Sequence, residues 1–117
     1  MISAQHSALS ALQAFSTRVH SNANNIANTN TESFKRTRVT LASTEPQGVK
    51  ANVEKVNTPG AVVFEEGPEG TEQKELSNVE ISTEFPEMNL NSALYKANLK
   101  TLQVADDMTG TLLELKA

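Results

Sequence analysis

Hydrophobic positions near the C-terminal end fall at Leu90, Leu94, Ala97, Thr101, Val104, Met108, Thr111 and Leu115, in steps of 4, 3, 4, 3, 4, 3 and 4. This heptad seam runs for nearly four repeats and predicts a long helix that packs against another helix. Leu102, Ala105 and Leu112 add a second stripe beside it. A helix with two apolar stripes must bury more than one face. One partner is a helix at the N-terminal end. The other stripe is covered either by the middle of the chain or by other subunits. Gly110 lies inside this helix and costs roughly 1 kcal/mol relative to Ala. Pro86 leaves two starts open. A start at Ser77 or Asn78 makes Pro86 a kink. A start at Thr83 or Glu84 puts it in the tolerant first turn.

At the N-terminal end, Ile2, Leu9, Leu12, Val19, Ala23 and Ile26 follow the same three- and four-residue steps, with Gln5 and Ser16 as polar members. Ala8, Ala11 and Phe15 widen the stripe. The pattern predicts a helix over about 3–27, with Ser3 as N-cap. Its other face is rich in Ser, Ala and Gln, which permits close helix approach. Asparagines at 22, 24, 25, 28 and 30 then crowd the exit from this helix. Asn competes for nearby backbone groups and suits helix ends and turns. The helix therefore leaves its path where each freed backbone group has an amide close by.

The middle, about 37–76, changes character. Val49, Ala51 and Val53 alternate, and Ala61-Val62-Val63-Phe64 is a short apolar run. Asn57-Thr58-Pro59-Gly60 between them is a turn signal, so one β-hairpin is expected. Glu65 to Glu72 reads as an acidic Gly/Pro loop. Two strands alone are marginal, so the hairpin must lean on the helices or on a neighbour. The expected architecture is mainly α with a small β part. The terminal segments, 1–28 and 77–117, form one helical coiled-coil domain as an antiparallel hairpin. Residues 29–76 hold the Asn-rich junction, an extended loop and the β-hairpin.

A chain of 117 residues suits one domain, yet only 38% are hydrophobic and none is Trp. Such a thin supply of core points to an elongated fold or to stability drawn from neighbours. The net charge of −4 gives no support for nucleic-acid binding. Residues 1–40 carry a net +3 and residues 41–117 a net −7. This asymmetry is either ordinary surface charge or complementarity between stacked copies. The absence of cysteine excludes disulfides, thiolate metal sites and a Cys nucleophile. The first seven residues lack a basic region and a long apolar core, so no cleavable secretory signal is expected. No segment is apolar enough to insert in a bilayer.

Candidate chemistry is sparse. His6 and His20 share a helix face but lie roughly 21 Å apart, too far to share a metal. The glutamates at 65, 66, 69, 72 and 75 lack the spacing of a calcium loop. Gly67 and Gly70 are not followed by the Lys-Ser/Thr pair of a phosphate loop. Asp106 and Asp107 point to different sides of a helix, and no Ser sits in a nucleophile elbow. No enzyme activity, cofactor, metal or small-molecule substrate is expected. Lys35, Arg36 and Arg38 form a basic cluster, read either as solvated or as a contact to an acidic neighbouring surface.

The run Ala23-Asn24-Asn25-Ile26-Ala27-Asn28-Thr29-Asn30-Thr31-Glu32-Ser33-Phe34-Lys35-Arg36 resembles the N-terminal signature of bacterial flagellar basal-body rod and hook proteins. That signature reads Asn-Ile-Ala-Asn, two variable residues, Thr, one variable residue, Gly, Phe, Lys. It matches here at Asn25, Ile26, Ala27, Asn28, Thr31, Phe34 and Lys35. The C-terminal signature is similar at Ser77 to Ile81, Glu84-Phe85, Met88, Tyr95 to Asn98, Lys100, Ala105 to Met108 and Thr111 to Lys116. Ser33 stands where the family has Gly, so a left-handed backbone there would be strained.

The resemblance implies a structural subunit, polymerised helically into a hollow drive shaft that transmits torque. It implies contacts with copies of the chain, with other rod proteins and with the flagellar type III export machinery. It implies a periplasmic place in the basal body, reached without signal cleavage. The short middle is most like the proximal-rod, FlgC-like type. The residues expected at subunit interfaces are Leu9, Leu12, Val19, Ile26, Leu90, Leu94, Ala97, Val104, Met108 and Leu115. A helical adaptor or export chaperone is the alternative, since it shares the helices without needing the Asn-rich motif.

Overall fold

The computed structural model describes residues 2–117. Two long helices flank two small hairpins: α1 (Ile2–Ala27), β1 (Thr37–Ser43), β2 (Val49–Lys55), β3 (Val62–Gly67), β4 (Gly70–Glu75) and α2 (Ile81–Lys116). The molecule is a rod in its own right, 81 × 24 × 19 Å.

The helices pack antiparallel. Asn22, late in α1, bonds Glu84 and Asn91, early in α2. Ile2 and Leu9, at the other end, line one shallow cleft with Leu102. With a rise of about 1.5 Å per residue, 36-residue α2 exceeds 26-residue α1 by roughly 15 Å. The end of α2 is the overhang, and its Leu112, Leu113 and Leu115 are exposed.

α1 is buried on two sides. Ala8, Leu12, Phe15, Val19, Asn22 and Ile26 follow helical steps on the α2 side and are buried or half-buried. Ser10, Ala14, Arg18, Ser21 and Asn25 make a second stripe against the β1–β2 hairpin, where four of them bond its backbone. Ser3 lies inside the helix, because helical backbone already begins at Ile2. It therefore has no capping role.

α2 begins between the two starts left open by the sequence. Its N-cap is Glu80, which makes no side-chain capping bond. Pro86 is the sixth helical residue, past the first turn. Its missing N–H costs the Ser82 carbonyl its partner four residues on, and both residues are exposed, so water can take that bond.

The middle corrects the expectation of one hairpin. There are two, each antiparallel and two-stranded. Val49–Lys55 pairs with Thr37–Ser43, not with the run at 61–64. The reason is register: Val39 meets Val53 and Leu41 meets Ala51, a matched set of apolar pairs on one face of the ladder. A five-residue loop, 44–48, joins them and closes with a Thr44 N–H to Gly48 carbonyl bond of 3.1 Å. Gly48 has φ +121°, and a Cβ there would sit 2.8 Å from Ser10 Oγ on α1. Only glycine lets the loop approach the helix this closely.

Val62–Gly67 pairs with Gly70–Glu75, so the acidic stretch is a strand and a tight turn around Pro68-Glu69 rather than a loop. Asn57 to Gly60 links the two hairpins. The β3–β4 hairpin packs on neither helix and on no other strand among the described residues. Phe64 on it is 70% exposed. It is held only at its base.

Candidate functional site: the helix exit and its clamps

The chain leaving α1 is fastened by three inner side chains. Asn25, buried within α1, acts as a substitute strand. Its Oδ1 accepts the Thr37 N–H at 2.9 Å and its Nδ2 donates to the Thr37 carbonyl at 2.8 Å. Asn78, just before α2, does the same one residue earlier. Its Oδ1 accepts the Arg36 N–H at 2.7 Å, and its Nδ2 donates to the carbonyls of Val56 and Thr58 at 2.8 and 2.9 Å. Glu75, at the end of β4, accepts from Lys35 Nζ and from the Gly60 N–H at 3.0 Å. A Cβ on Gly60 would lie 1.9 Å from the Leu76 carbonyl oxygen, so the linker can pass only as glycine.

The exit itself uses Asn28 and Thr31. Asn28 Nδ2 donates back to the Asn24 carbonyl at 2.8 Å, and Thr31 Oγ1 donates to Asn28 Oδ1 at 3.1 Å. The Ile26 carbonyl accepts from Thr29 Oγ1 at 2.8 Å. Ala27 is the last helical residue. Phe34 is half-buried, and its carbonyl accepts the Asn78 N–H at 3.3 Å. The motif residues thus end the helix and aim the next segment at the clamps.

Ser33 takes φ +56°, the one positive value outside glycine among the described residues. Its N–H donates to the Glu75 carbonyl at 2.9 Å, which holds the strained angle in place. Ser33→Gly should stabilise the chain by about 1 kcal/mol, read as a higher denaturation midpoint with an unchanged slope. An unchanged or lower midpoint contradicts strain at Ser33.

The basic cluster is paired within the chain, with Lys35 and Arg36 half-buried and Arg38 still exposed to solvent. Lys35 pairs with Glu75, Arg36 with Glu84 at 3.5 Å, and Arg38 with Glu54 at 3.1 Å. Each cation has a carboxylate in its own chain. Lys35 and the Gly60 N–H hold the Glu75 carboxyl below its ordinary value of 4.5. Its contribution is therefore complete above the unfolded value and is lost as pH falls through the lower folded value. Protection of the β3 and β4 amides, relative to their intrinsic exchange rates, should fall as pH drops below 4.5 before the helices loosen. Loss of the helices first contradicts this order.

Beneath the exit lies a buried polar cluster. Glu84, 1% exposed, accepts from Asn22 Nδ2 at 2.7 Å, and Asn22 Oδ1 accepts from Asn91 Nδ2 at 2.9 Å. Sequence reasoning missed Glu84, Asn91, Asn22, Asn78 and Glu75 as working residues. The first two had a readable signal: Glu84, Asn91 and Asn98 stand seven apart, a polar heptad beside the apolar one.

The expected interface residues divide. Leu90, Val104, Met108 and Leu115 are 44% to 80% exposed, and Leu9 and Ala97 are also exposed. Leu94, Val19 and Ile26 are half-buried. Leu12 is buried within the single chain, because α1 presents it to α2, so it has no surface left for a neighbour.

Two family models match the chain. Residues 6–35 match the flagella basal body rod protein model, and residues 74–115 match the flagellar basal body rod FlgEFG protein C-terminal model. The first match ends on the exit motif and the second spans Glu75, Asn78 and α2. The chain belongs to the flagellar basal-body rod protein family. No curated protein matches it. Rod-family proteins are structural rather than enzymatic, so the clamps are read as mechanical ties. The chain has a structural role in the basal-body rod, in assembly with other rod and basal-body proteins. No described helix is long and apolar enough to cross a membrane.

Proposed function

We propose that this chain is one subunit of a hollow helical shaft that carries torque across the periplasm, at a proximal position of the rod. The observation that carries the reading is the apolar heptad of α2, which stays outside the chain's own core. Leu90, Val104, Met108 and Leu115 line that seam, and its last part lies on the overhang beyond α1. A surface of this kind on a monomer calls for a partner. A repeated contact between unlike surfaces that does not close generates a helical tube.

In this reading, α1 and α2 form an antiparallel coiled-coil hairpin. The helical segments, 1–28 and 77–117, build the inner wall, and 29–76 forms the outer part. Leu9, Leu90, Leu94, Ala97, Val104, Met108 and Leu115 meet neighbouring copies or adjacent rod proteins, while Val19 and Ile26 contribute their half-exposed edges. The motif from Asn25 to Lys35 and the clamps transmit load between the two layers. The subunit leaves the cytoplasm through the flagellar type III export machinery without cleavage of a signal.

Electron microscopy of purified basal bodies, with this subunit located in the density, tests the reading. The expected result is α2 lining the inner wall of the rod. Basal bodies whose rod contains no density for this chain overturn it.

A further inference from the structure

Two heptads run along α2, and only one meets α1. The shielded one is Glu84, Met88, Asn91, Tyr95, Asn98, Leu102, Ala105 and Thr109, each buried or half-buried. The other, from Leu90 to Leu115, is the more apolar and is exposed at every position except half-buried Leu94. By the hydrophobic effect alone the choice runs the wrong way, since the apolar heptad would bury more apolar surface on α1. We propose that Asn22, Glu84 and Asn91 form a hydrogen-bonded key that selects which heptad meets α1 and keeps the apolar heptad outside.

The geometry supports this step by step. Asn22 sits on the α2-facing stripe of α1, where its amide is buried. Its Nδ2 needs an acceptor and finds Glu84 Oε2 at 2.7 Å, with Glu87 Oε2 at 3.4 Å. Its Oδ1 needs a donor and finds Asn91 Nδ2 at 2.9 Å. No buried side-chain polar atom among the described residues lacks a partner. Turning α2 by about 100°, one residue's rotation, would bring the Leu90 heptad onto α1. Asn22 would then be buried against apolar side chains with both hydrogen bonds lost, which is costly. Arg36 holds Glu84 from the exit segment at 3.5 Å, so the key is also fixed from outside the helix pair. A buried polar residue that fixes the register of paired helices is the best-attested use of such groups. The key acts within one chain, whatever covers the outward heptad.

The absence of cysteine makes a direct test possible. Single thiols are placed by Val104→Cys on the outward heptad or by Leu102→Cys on the shielded one, in the full chain. In the otherwise unchanged chain, Val104→Cys should react with a thiol reagent about tenfold faster than Leu102→Cys. In the Asn22→Leu background, where Glu84 and Asn91 stay polar but face an apolar side chain, the order should reverse. Glu84→Gln, which keeps an acceptor for Asn22, should retain the original order. Asn22→Ala, which removes the same two bonds with a smaller side chain, should narrow the ratio at least threefold. Retention of the full original ratio in helical Asn22 variants overturns the key. So does equal acceleration at both thiols, which would mean that the cluster only stabilises the pair.

Discussion

Met108→Glu and Val104→Glu will fold as the parent chain does and will fail to build a rod. Both side chains are exposed in the single chain, so neither change opens a cavity in it. Stability of the isolated subunit should shift by no more than about 0.5 kcal/mol. In the assembly each apolar side chain is worth roughly 1.5–3 kcal/mol when buried. A carboxylate in its place adds a desolvation penalty of several kcal/mol. In the proposed helical assembly each copy repeats the contact, so the loss recurs at each joint. The expected phenotype is non-motile cells with truncated basal bodies, together with a normal far-UV CD melt of the purified chain. Leu94→Glu should act in the same direction, less cleanly, because Leu94 is already half-buried within the chain. Normal motility with intact rods in the Val104 and Met108 variants removes the outward heptad from the assembly.

The two helices and the helix exit were legible in the sequence because they rest on local signals. Three- and four-residue spacing marks a helix face, and clustered asparagines mark an end that needs side-chain partners. What periodicity cannot convey is which face meets which partner. The Leu90 to Leu115 heptad is the stronger hydrophobic pattern, and it points away from α1 because Asn22 requires Glu84 and Asn91 opposite it. Polar residues decided the packing, and a hydrophobicity pattern does not see them. The hairpins were misread for a related reason. Asn57 to Gly60 is a good turn signal, but turn chemistry alone does not say that the flanking strands pair with each other. The register Val39 to Val53 and Leu41 to Ala51 matched better across the loop 44–48. Strand β4, with one Lys, two Glu, Thr, Gln and Gly, has no hydrophobic residue to announce it. It exists because the two-residue turn at Pro68-Glu69 folds it back on β3.

Asn25→Leu should destabilise the chain by about 2–4 kcal/mol, more than an ordinary surface or loop change. Leucine fills nearly the same space, so packing in α1 is largely kept. What disappears is the pair of bonds to the Thr37 N–H and carbonyl, at 2.9 and 2.8 Å. The Thr37 N–H then loses its acceptor and the carbonyl keeps only the Ser21 Oγ bond at 3.3 Å, in a half-buried segment where an unpaired group costs about 1–3 kcal/mol. The consequence reaches beyond stability. Thr37 is the first residue of β1, and the β1–β2 hairpin is otherwise tied to α1 by isolated bonds from Ser10, Arg18 and Ser21. Loss of the clamp should therefore raise amide exchange across β1 and β2 while α2 exchanges as before. Asn25→Asp keeps the acceptor but sets a carboxylate against the Thr37 carbonyl, so it should not rescue the hairpin. The check is equilibrium denaturation combined with hydrogen exchange on both variants. If either unfolds at the parental midpoint, with β1 and β2 as protected as before, Asn25 is not what joins the inner helix to the outer sheet.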